Sequence, residues 1–297
     1  MVSVIIPTLN AAPVMANLLE SLRNQTIPVE IIIIDSSSHD GTVDTALSYD
    51  AHVLTIPREK FGHGRTRNRA AREASGDVMV FLTQDALPRG RNCIENLVTP
   101  LGDPGIAASY GRQIPQEGAK PPERFVRQFN YPPDPSIKSW KDISSLGIKT
   151  FFFSNVCSAV RREEFEHLGG FPEDLVMFED MLFAAKLLKD GYSVAYVPGA
   201  EVIHSHDYSW QQQFKRYAKA GISFSNNPWF LEYAKAGEEG LSLFRKEVRY
   251  FLENRMYYWC LYAFGDALFK YIGFNLGLRH RSLPQMIAKR VTGYLNG

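Results

Sequence analysis

Four groups of residues in this chain have the types and spacing to do chemistry. Val78-Met79-Val80-Phe81-Leu82 is an apolar, strand-forming run that empties through Thr83-Gln84 into Asp85. Val29-Glu30-Ile31-Ile32-Ile33-Ile34 does the same into Asp35. Such runs read as buried parallel strands, and open α/β sheets bind ligands at the carboxyl ends of their strands. Each acid also has a local account: Asp35 as acceptor for the turn Ser36-Ser37-Ser38, Asp85 as cap of a helix expected from about Arg89. The third group is Glu179-Asp180, at the start of a segment with Met181, Phe183, Ala184, Leu187 and Leu188 on one side. A carboxylate placed there can take a proton from an attacking hydroxyl, and the helix dipole alone also favours acids at that position. The fourth is His204 and His206. A spacing of two in a strand puts both on one face, where a histidine is either a metal ligand or a hydrogen-bonded surface group.

The elements that must position these groups alternate. Val2 to Pro7 is a β run, followed by helical spacing at Val14, Leu18, Leu19 and Leu22. The strand ending at Asp35 leads into the polar turn Ser36 to Thr42, which Asp40 closes, and a helix from about Val43. Val53 to Ile56 is a third strand, Phe61-Gly62-His63-Gly64 a glycine loop, and Arg65 to Ala74 a helix with Gly76 as a left-handed cap. Strands alternating with helices predict a doubly wound, mostly parallel sheet with right-handed crossovers. Ile106 to Gly111 is a further strand, after which 113–149 reads as a long, mobile loop, either a lid or binding segment or a plain insertion. Phe151 to Val160 and Ser193 to Pro198 return to strands, with a short helix from Arg161 to Leu168 between them. From Trp210 the alternation gives way to long helical patterns rich in aromatics and in Arg245, Lys246, Arg249, Arg255 and Lys270. Two readings of this appendage stand: a helix pair packed on the catalytic domain, or a basic-aromatic surface in peripheral contact with the inner face of the cytoplasmic membrane.

Bulk properties narrow the function classes. A chain of 297 residues, 45% apolar and 22% charged, is ordinary globular protein. Its net charge of +1 gives no electrostatic case for nucleic acid as a partner. The N-terminal Met-Val-Ser-Val-Ile-Ile-Pro has no signal-peptide pattern, so a cytoplasmic location is expected. Cys93, Cys157 and Cys260 are widely spaced among apolar neighbours and read as buried thiols.

Taken in order, Val4-Ile5-Ile6-Pro7-Thr8-Leu9-Asn10, Ile34-Asp35-Ser36-Ser37-Ser38-His39-Asp40-Gly41-Thr42, Arg67-Asn68 with Ala74-Ser75-Gly76-Asp77, Phe81-Leu82-Thr83-Gln84-Asp85-Ala86 and Phe178-Glu179-Asp180 resemble the inverting nucleotide-sugar glycosyltransferases of the GT-A fold. The resemblance covers about residues 2 to 210 and implies a Rossmann-like, mostly parallel central sheet flanked by helices. The corresponding division is 1–210 as the glycosyltransferase domain and 211–297 as a C-terminal helical appendage. Within that family, Gln84-Asp85-Ala86, the Phe61-Gly62-His63-Gly64 loop, and Lys270-Tyr271-Ile272-Gly273 with Leu283-Pro284 look most like the rhamnosyltransferases that use dTDP-L-rhamnose. That implies transfer of L-rhamnose to an oligosaccharide or lipid-linked saccharide of a surface polysaccharide. A UDP-sugar donor (galactose, N-acetylglucosamine or hexuronic acid) and a catalytically silent nucleotide-sugar-binding protein are the alternatives.

The resemblance also implies roles. Asp85, with His204 as second ligand, would hold a divalent cation, Mg²⁺ or Mn²⁺, against the diphosphate leaving group. The family carries an acidic pair where this chain has Thr83 and Gln84 around a single Asp, which leaves Gln84 as an orienting group on the donor side. Asp35 would accept a hydrogen bond from the pyrimidine N3-H, with Pro7, Thr8 and Asn10 walling the nucleoside. Arg67, with its forked donors, resembles the family residue near base and phosphate, and His63 and Arg65 could also reach the donor. Asp180 matches the catalytic base, and Glu179 would bind acceptor hydroxyls or position Asp180. Tyr208 and Trp210 offer aromatic faces for an acceptor sugar or for core packing.

Overall fold

A computed structural model describes residues 1–233 and 236–282. Leu283 and Pro284, part of the narrower resemblance, lie outside the described residues. Nine strands form one sheet: β1 (Val2–Thr8), β2 (Val29–Asp35), β3 (His52–Thr55), β4 (Val78–Leu82), β5 (Leu87–Pro88), β6 (Ile106–Ile114), β7 (Ser136–Lys138), β8 (Cys157–Arg161) and β9 (Ser193–Ile203). Their order is β3-β2-β1-β4-β8-β6-β9-β5, with β7 also paired to β9. The pairings set β1, β2, β3, β4, β6 and β9 running one way and β5, β7 and β8 the other. The chain leaves β1 for β2 and β3 on one side and returns to β4 on the other. That reversal is a topological switch point, where the loops after two adjacent strands part and open a crevice.

The helices, in chain order, are α1 (Ala12–Arg23), α2 (Thr42–Ser48), α3 (His63–Glu73), α4 (Cys93–Val98), α5 (Pro121–Asn130), α6 (Ile143–Leu146), α7 (Arg162–His167), α8 (Glu179–Lys189), α9 (Trp210–Asn226), α10 (Pro228–Tyr233), α11 (Ala236–Glu253) and α12 (Tyr257–Leu278). The chain divides into two compact units. The first comprises Met1–Gln116, Asn130–Leu175 and Glu179–Ser205, and holds the whole sheet. The second comprises Glu117–Phe129, Val176–Phe178 and the chain from His206 onward.

Strand alternation builds the first unit's two cores. Val80 and Leu82 point to one face, where Met15, Leu18, Leu19 and Leu22 of α1 cover them. Phe81, between them in sequence, points to the other face and meets Phe165 and Phe171, with ring centroids 5.6 and 4.9 Å away. Phe183 of α8 completes that aromatic cluster, 5.0 Å from Phe171. Burial of each such ring contributes about 1.5–3 kcal/mol, so the cluster fixes α8 and the acids at its start. The cysteines are free, Cys93 and Cys157 buried and Cys260 partly so.

Several expectations from sequence need correction. The segment 113–149 is no structureless loop: it carries the end of β6, α5, β7 and α6. A proline at the first helical position starts α5, and Phe125 and Phe129, one turn apart, stack at 6.0 Å. The helix expected near Arg89 begins at Cys93, with β5 interposed, so Asp85 is not its cap. Gly76 is no left-handed cap; a Cβ there would sit 2.8 Å from the Met1 carbonyl oxygen and the Ser3 amide. The strand expected from Phe151 starts only at Cys157, because Phe151 ends a 3-10 turn.

In the second unit α9 and α12 pack closely. A Cβ on Gly277 would lie 2.0 Å from the Ala218 carbonyl oxygen, and one on Gly273 2.4 Å from that of Phe214. Lys270, expected on a basic surface, is instead half-buried and ion-paired with Asp266 at 2.5 Å. Among the described residues no helix is long and apolar enough to cross a membrane.

Candidate functional site

The carboxyl edge of the similarly directed strands gathers residues from distant parts of the first unit. β4 stops at Leu82, and a turn closed by the Ala86 amide on the Thr83 carbonyl at 3.1 Å presents Asp85. The two-residue β5 then pairs Leu87 with Ile203, which draws Asp85 toward the end of β9. His204 follows, its amide bonded to the Ile114 carbonyl of β6 at 2.9 Å. The result is an Asp85 Oδ1 to His204 Nε2 separation of 3.5 Å.

The state of His204 follows from Gln113, which sequence reasoning left at the start of a loop. Gln113 Nε2 donates to the Tyr131 hydroxyl and, at 3.0 Å, to Ser154 Oγ. Its Oε1 is thereby turned to His204 Nδ1, 3.0 Å away, and an amide oxygen can only accept. With the Gln113 amide oriented this way Nδ1 carries the proton, and the neutral ring presents Nε2 to the carboxylate. Asp85 Oδ1 and His204 Nε2 are thus two donor atoms with the spacing to share a cation. An oxygen and an imidazole nitrogen, with the imidazole fixed by an amide behind it, fit a divalent metal. His206, two residues on, belongs to the second unit.

Asp35, fully buried, accepts from Thr8 Oγ1 at 2.9 Å and from Ser38 Oγ at 2.6 Å on one oxygen, and from the Ser38 amide at 2.7 Å on the other. It does serve the Ser-rich turn, as its local account requires. An ionised carboxylate offers about four acceptor sites, of which these bonds use three. Asp40 closes the next turn: it accepts from Thr42 Oγ1 at 2.5 Å and from the Ala12 amide at 3.0 Å. The Thr42 hydroxyl bond holds its carboxyl below the usual range. Asn10, with φ of +50°, donates its amide to Ser38 Oγ and accepts from the His39 amide. The Pro7-to-Asn10 segment is thus stitched to the turn after Asp35. Gln84 has both ends of its amide on one residue: Oε1 accepts from the Leu9 amide at 2.7 Å and Nε2 donates to the Leu9 carbonyl at 3.2 Å. It clamps the loops after β1 and β4 together across the switch point.

The third group sits where α3 meets the start of α8. Arg67 is buried and its Nη1 lies 3.0 Å from Glu179 Oε1, also buried, while donating to the His63 carbonyl. Asn155 Nδ2 reaches the same Glu179 oxygen at 3.4 Å. In this structure Arg67 therefore faces the acid pair. Arg65 makes long ion pairs with Glu173 and Asp174, at 3.5 and 3.8 Å, and His63 packs its ring on Phe61 at 5.1 Å. Asp180 accepts from the Asn155 amide at 3.2 Å and the Met181 amide at 2.8 Å. Burial, reinforced by the neighbouring Glu179 carboxylate, pushes its carboxyl up to about 7. A carboxyl poised near neutral pH matches what a general base needs. The segment leading to α8 is tied down by Asn68, whose side chain donates to the Phe171 carbonyl at 2.8 Å and accepts from its amide at 2.9 Å. Trp210 lies in the second unit, its ring 5.3 Å from Tyr262 and against Gly265.

The chain as a whole is similar to known proteins. Residues 3–169 match glycosyl transferase family 2. The chain is 41% identical over 287 residues to the O-antigen chain rhamnosyltransferase RfbN of Salmonella typhimurium, covering 95% of this chain and 91% of that one. It is 40% identical to the O-antigen chain rhamnosyltransferase WbaN of Salmonella anatum, covering 95% and 90%. Among solved structures, the mannosyltransferase PcManGT of Pyrobaculum calidifontis, in complex with GDP-Man and Mn²⁺, superposes with a TM-score of 0.63 at 21% identity, over 93% of this chain and 86% of that one.

Proposed function

The chain belongs to glycosyl transferase family 2, and from that premise we propose that it transfers L-rhamnose from dTDP-L-rhamnose to a saccharide acceptor of a growing surface polysaccharide, with inversion at the anomeric carbon. The observation that carries this reading is the pair of electron-pair donors at the crevice, Asp85 Oδ1 and His204 Nε2, 3.5 Å apart with Gln113 fixing the imidazole. Asp85 and His204 are the residues that would hold Mg²⁺ or Mn²⁺, which supplies positive charge to the departing diphosphate. Rhamnose as the sugar is supported by the near full-length identity to two O-antigen chain rhamnosyltransferases.

The rest of the chemistry falls to the chain's own groups. Asp35, through the oxygen that the Ser38 amide touches, takes the N3-H of the pyrimidine, and the Pro7, Thr8 and Asn10 backbone walls the nucleoside. The acceptor hydroxyl attacks the anomeric carbon from the face opposite the nucleotide; a new carbon–oxygen bond forms as the bond to the phosphate oxygen breaks. The hydroxyl proton passes to Asp180, and dTDP leaves with the electron pair. Glu179, held by Arg67 and Asn155, keeps Asp180 basic and in place. Residues 1–210 carry the catalysis.

A screen of nucleotide release with dTDP-L-rhamnose, UDP-galactose, UDP-N-acetylglucosamine and UDP-glucuronic acid, each with Mg²⁺, Mn²⁺ or chelator, tests the reading. Acceptor-dependent release from dTDP-L-rhamnose, lost in chelator, is expected. Turnover of a UDP-sugar in its place, or full activity in chelator, would overturn the donor or the metal respectively.

A further inference from the structure

The helical hairpin of α11 and α12 is built inside out. The charged residues of α12 are Asp266 and Lys270, and both point to the protein: Asp266 is buried, and the Lys270 ammonium pairs with it at 2.5 Å and lies 5.6 Å over the Tyr217 ring of α9. Glu247 of α11 is buried beside them, and burial pushes its carboxyl up to about 7. The opposite side of α12 carries Tyr257, Leu261, Phe264, Leu268 and Tyr271 at helical spacing, and all are exposed, Leu261 by 76%. A helix facing water ordinarily shows charge there.

The apolar face continues onto α11. Phe244 meets Phe264 with ring centroids 6.1 Å apart, and the Cys260 thiol lies 4.0 Å from the Val248 carbonyl, so the two helices run antiparallel in a defined register. Leu241 and Leu252, on the same side of α11 as Phe244 and Val248, are exposed. A contiguous exposed surface of this kind marks an interaction site. Its flank is cationic. Helical spacing sets Arg245 and Arg249 beside the Leu241-Phe244-Val248-Leu252 stripe, and Arg255 stands in the turn between the helices; all three are exposed. From residue 239 to residue 282 the acids that are not buried are Glu239 and Glu253, at the two ends of α11, against exposed Arg245, Lys246, Arg249, Arg255, Arg279 and Arg281.

We propose that this hairpin face is a lipid-docking surface that lies in the interface of an anionic phospholipid membrane. The apolar centre, Leu261, Phe264 and Leu268, enters the acyl boundary. Tyr257 and Tyr271 at its two ends take the headgroup level that amphipathic aromatic rings prefer. Arg245, Arg249 and Arg255 meet lipid phosphates. Charge complementarity selects lipid over a second copy of the chain. A twofold contact through one patch brings two cationic flanks together with few acids to neutralise them. The inference is independent of the donor and acceptor assigned above.

Cosedimentation of the full chain with phosphatidylcholine vesicles, with and without phosphatidylglycerol, tests it. Binding is expected to the anionic vesicles, to weaken by about fivefold for each arginine changed to glutamine, and to fall in molar salt. The double variant Leu261→Glu/Phe264→Glu should lose binding while keeping its melting temperature and its nucleotide release with a soluble acceptor. Failure of the parent chain to sediment, or sedimentation unchanged by the double variant, would overturn the proposal. So would a concentration-dependent dimer that the double variant abolishes, which would make a second copy the occupant.

Discussion

Asp180 links catalysis to stability. Its carboxyl keeps its proton up to about 7 in the folded chain, against 3.8 for the free group. Between those values the folded state binds more protons than the unfolded one, so this group costs stability increasingly as pH rises through that window. Asp180→Asn removes the titration and the base together. Turnover is expected to drop about a hundred- to ten-thousandfold, with the fold retained. In thermal melts the variant should gain on the parent chain as pH rises from about 4 to about 8, the range set by the two proton affinities. A variant that turns over normally, or that melts in parallel with the parent across pH, would refute the role. Because the base works as the carboxylate, parent activity should climb through about pH 7. Removing the neighbouring charge in Glu179→Gln should move that rise to lower pH, measurable in the kcat profile.

At this scale the sequence was only partly legible. Asp35 and Asp85 announce themselves because each sits where an apolar run ends, and Asp180 because it sits where a helical pattern begins. Arg67 does not: its pairing with Glu179 spans 112 positions, and the forked donors that suit a phosphate suit a carboxylate equally. Gln113 was hidden for the same reason, since its meaning lies in His204, 91 residues on.

Among the elements, α3 and the segment before α8 depend on one close approach. A Cβ on Gly64 would stand 2.1 Å from the Pro172 carbonyl oxygen. Gly64→Ala must push that segment away from α3 and loosen the Asn68 clamp, at a cost of about 1–3 kcal/mol or more. Gly102→Ala, where nothing lies within 4 Å of the added carbon, is the control and should be near neutral. Equal melting temperatures for the two variants would count against the argument. The long parallel strands were readable from their apolar runs, but β5 and β7 were not, since two or three residues carry no period to detect. Yet β5 is what brings Asp85 to His204. The antiparallel β8 was read as an ordinary strand because direction is a property of the sheet.

For the whole molecule, composition was the least informative guide. A net charge of +1 averages over an uncharged α12 face and a cationic flank, so the proposed docking surface emerges only when exposure is assigned residue by residue. The Asp266–Lys270 pair on the hidden side of α12 has a further consequence, for biosynthesis. At 22 residues, α12 is long enough to span a bilayer, for which about 20 apolar residues suffice. A translocon weighing that segment as it emerges meets two charges, each disfavouring insertion by about 2.5–3.5 kcal/mol. On that arithmetic the pair would keep an otherwise greasy helix from being threaded through the membrane. Asp266→Leu/Lys270→Leu should turn α12 into an integral segment that resists alkaline carbonate extraction, whereas the parent chain is released.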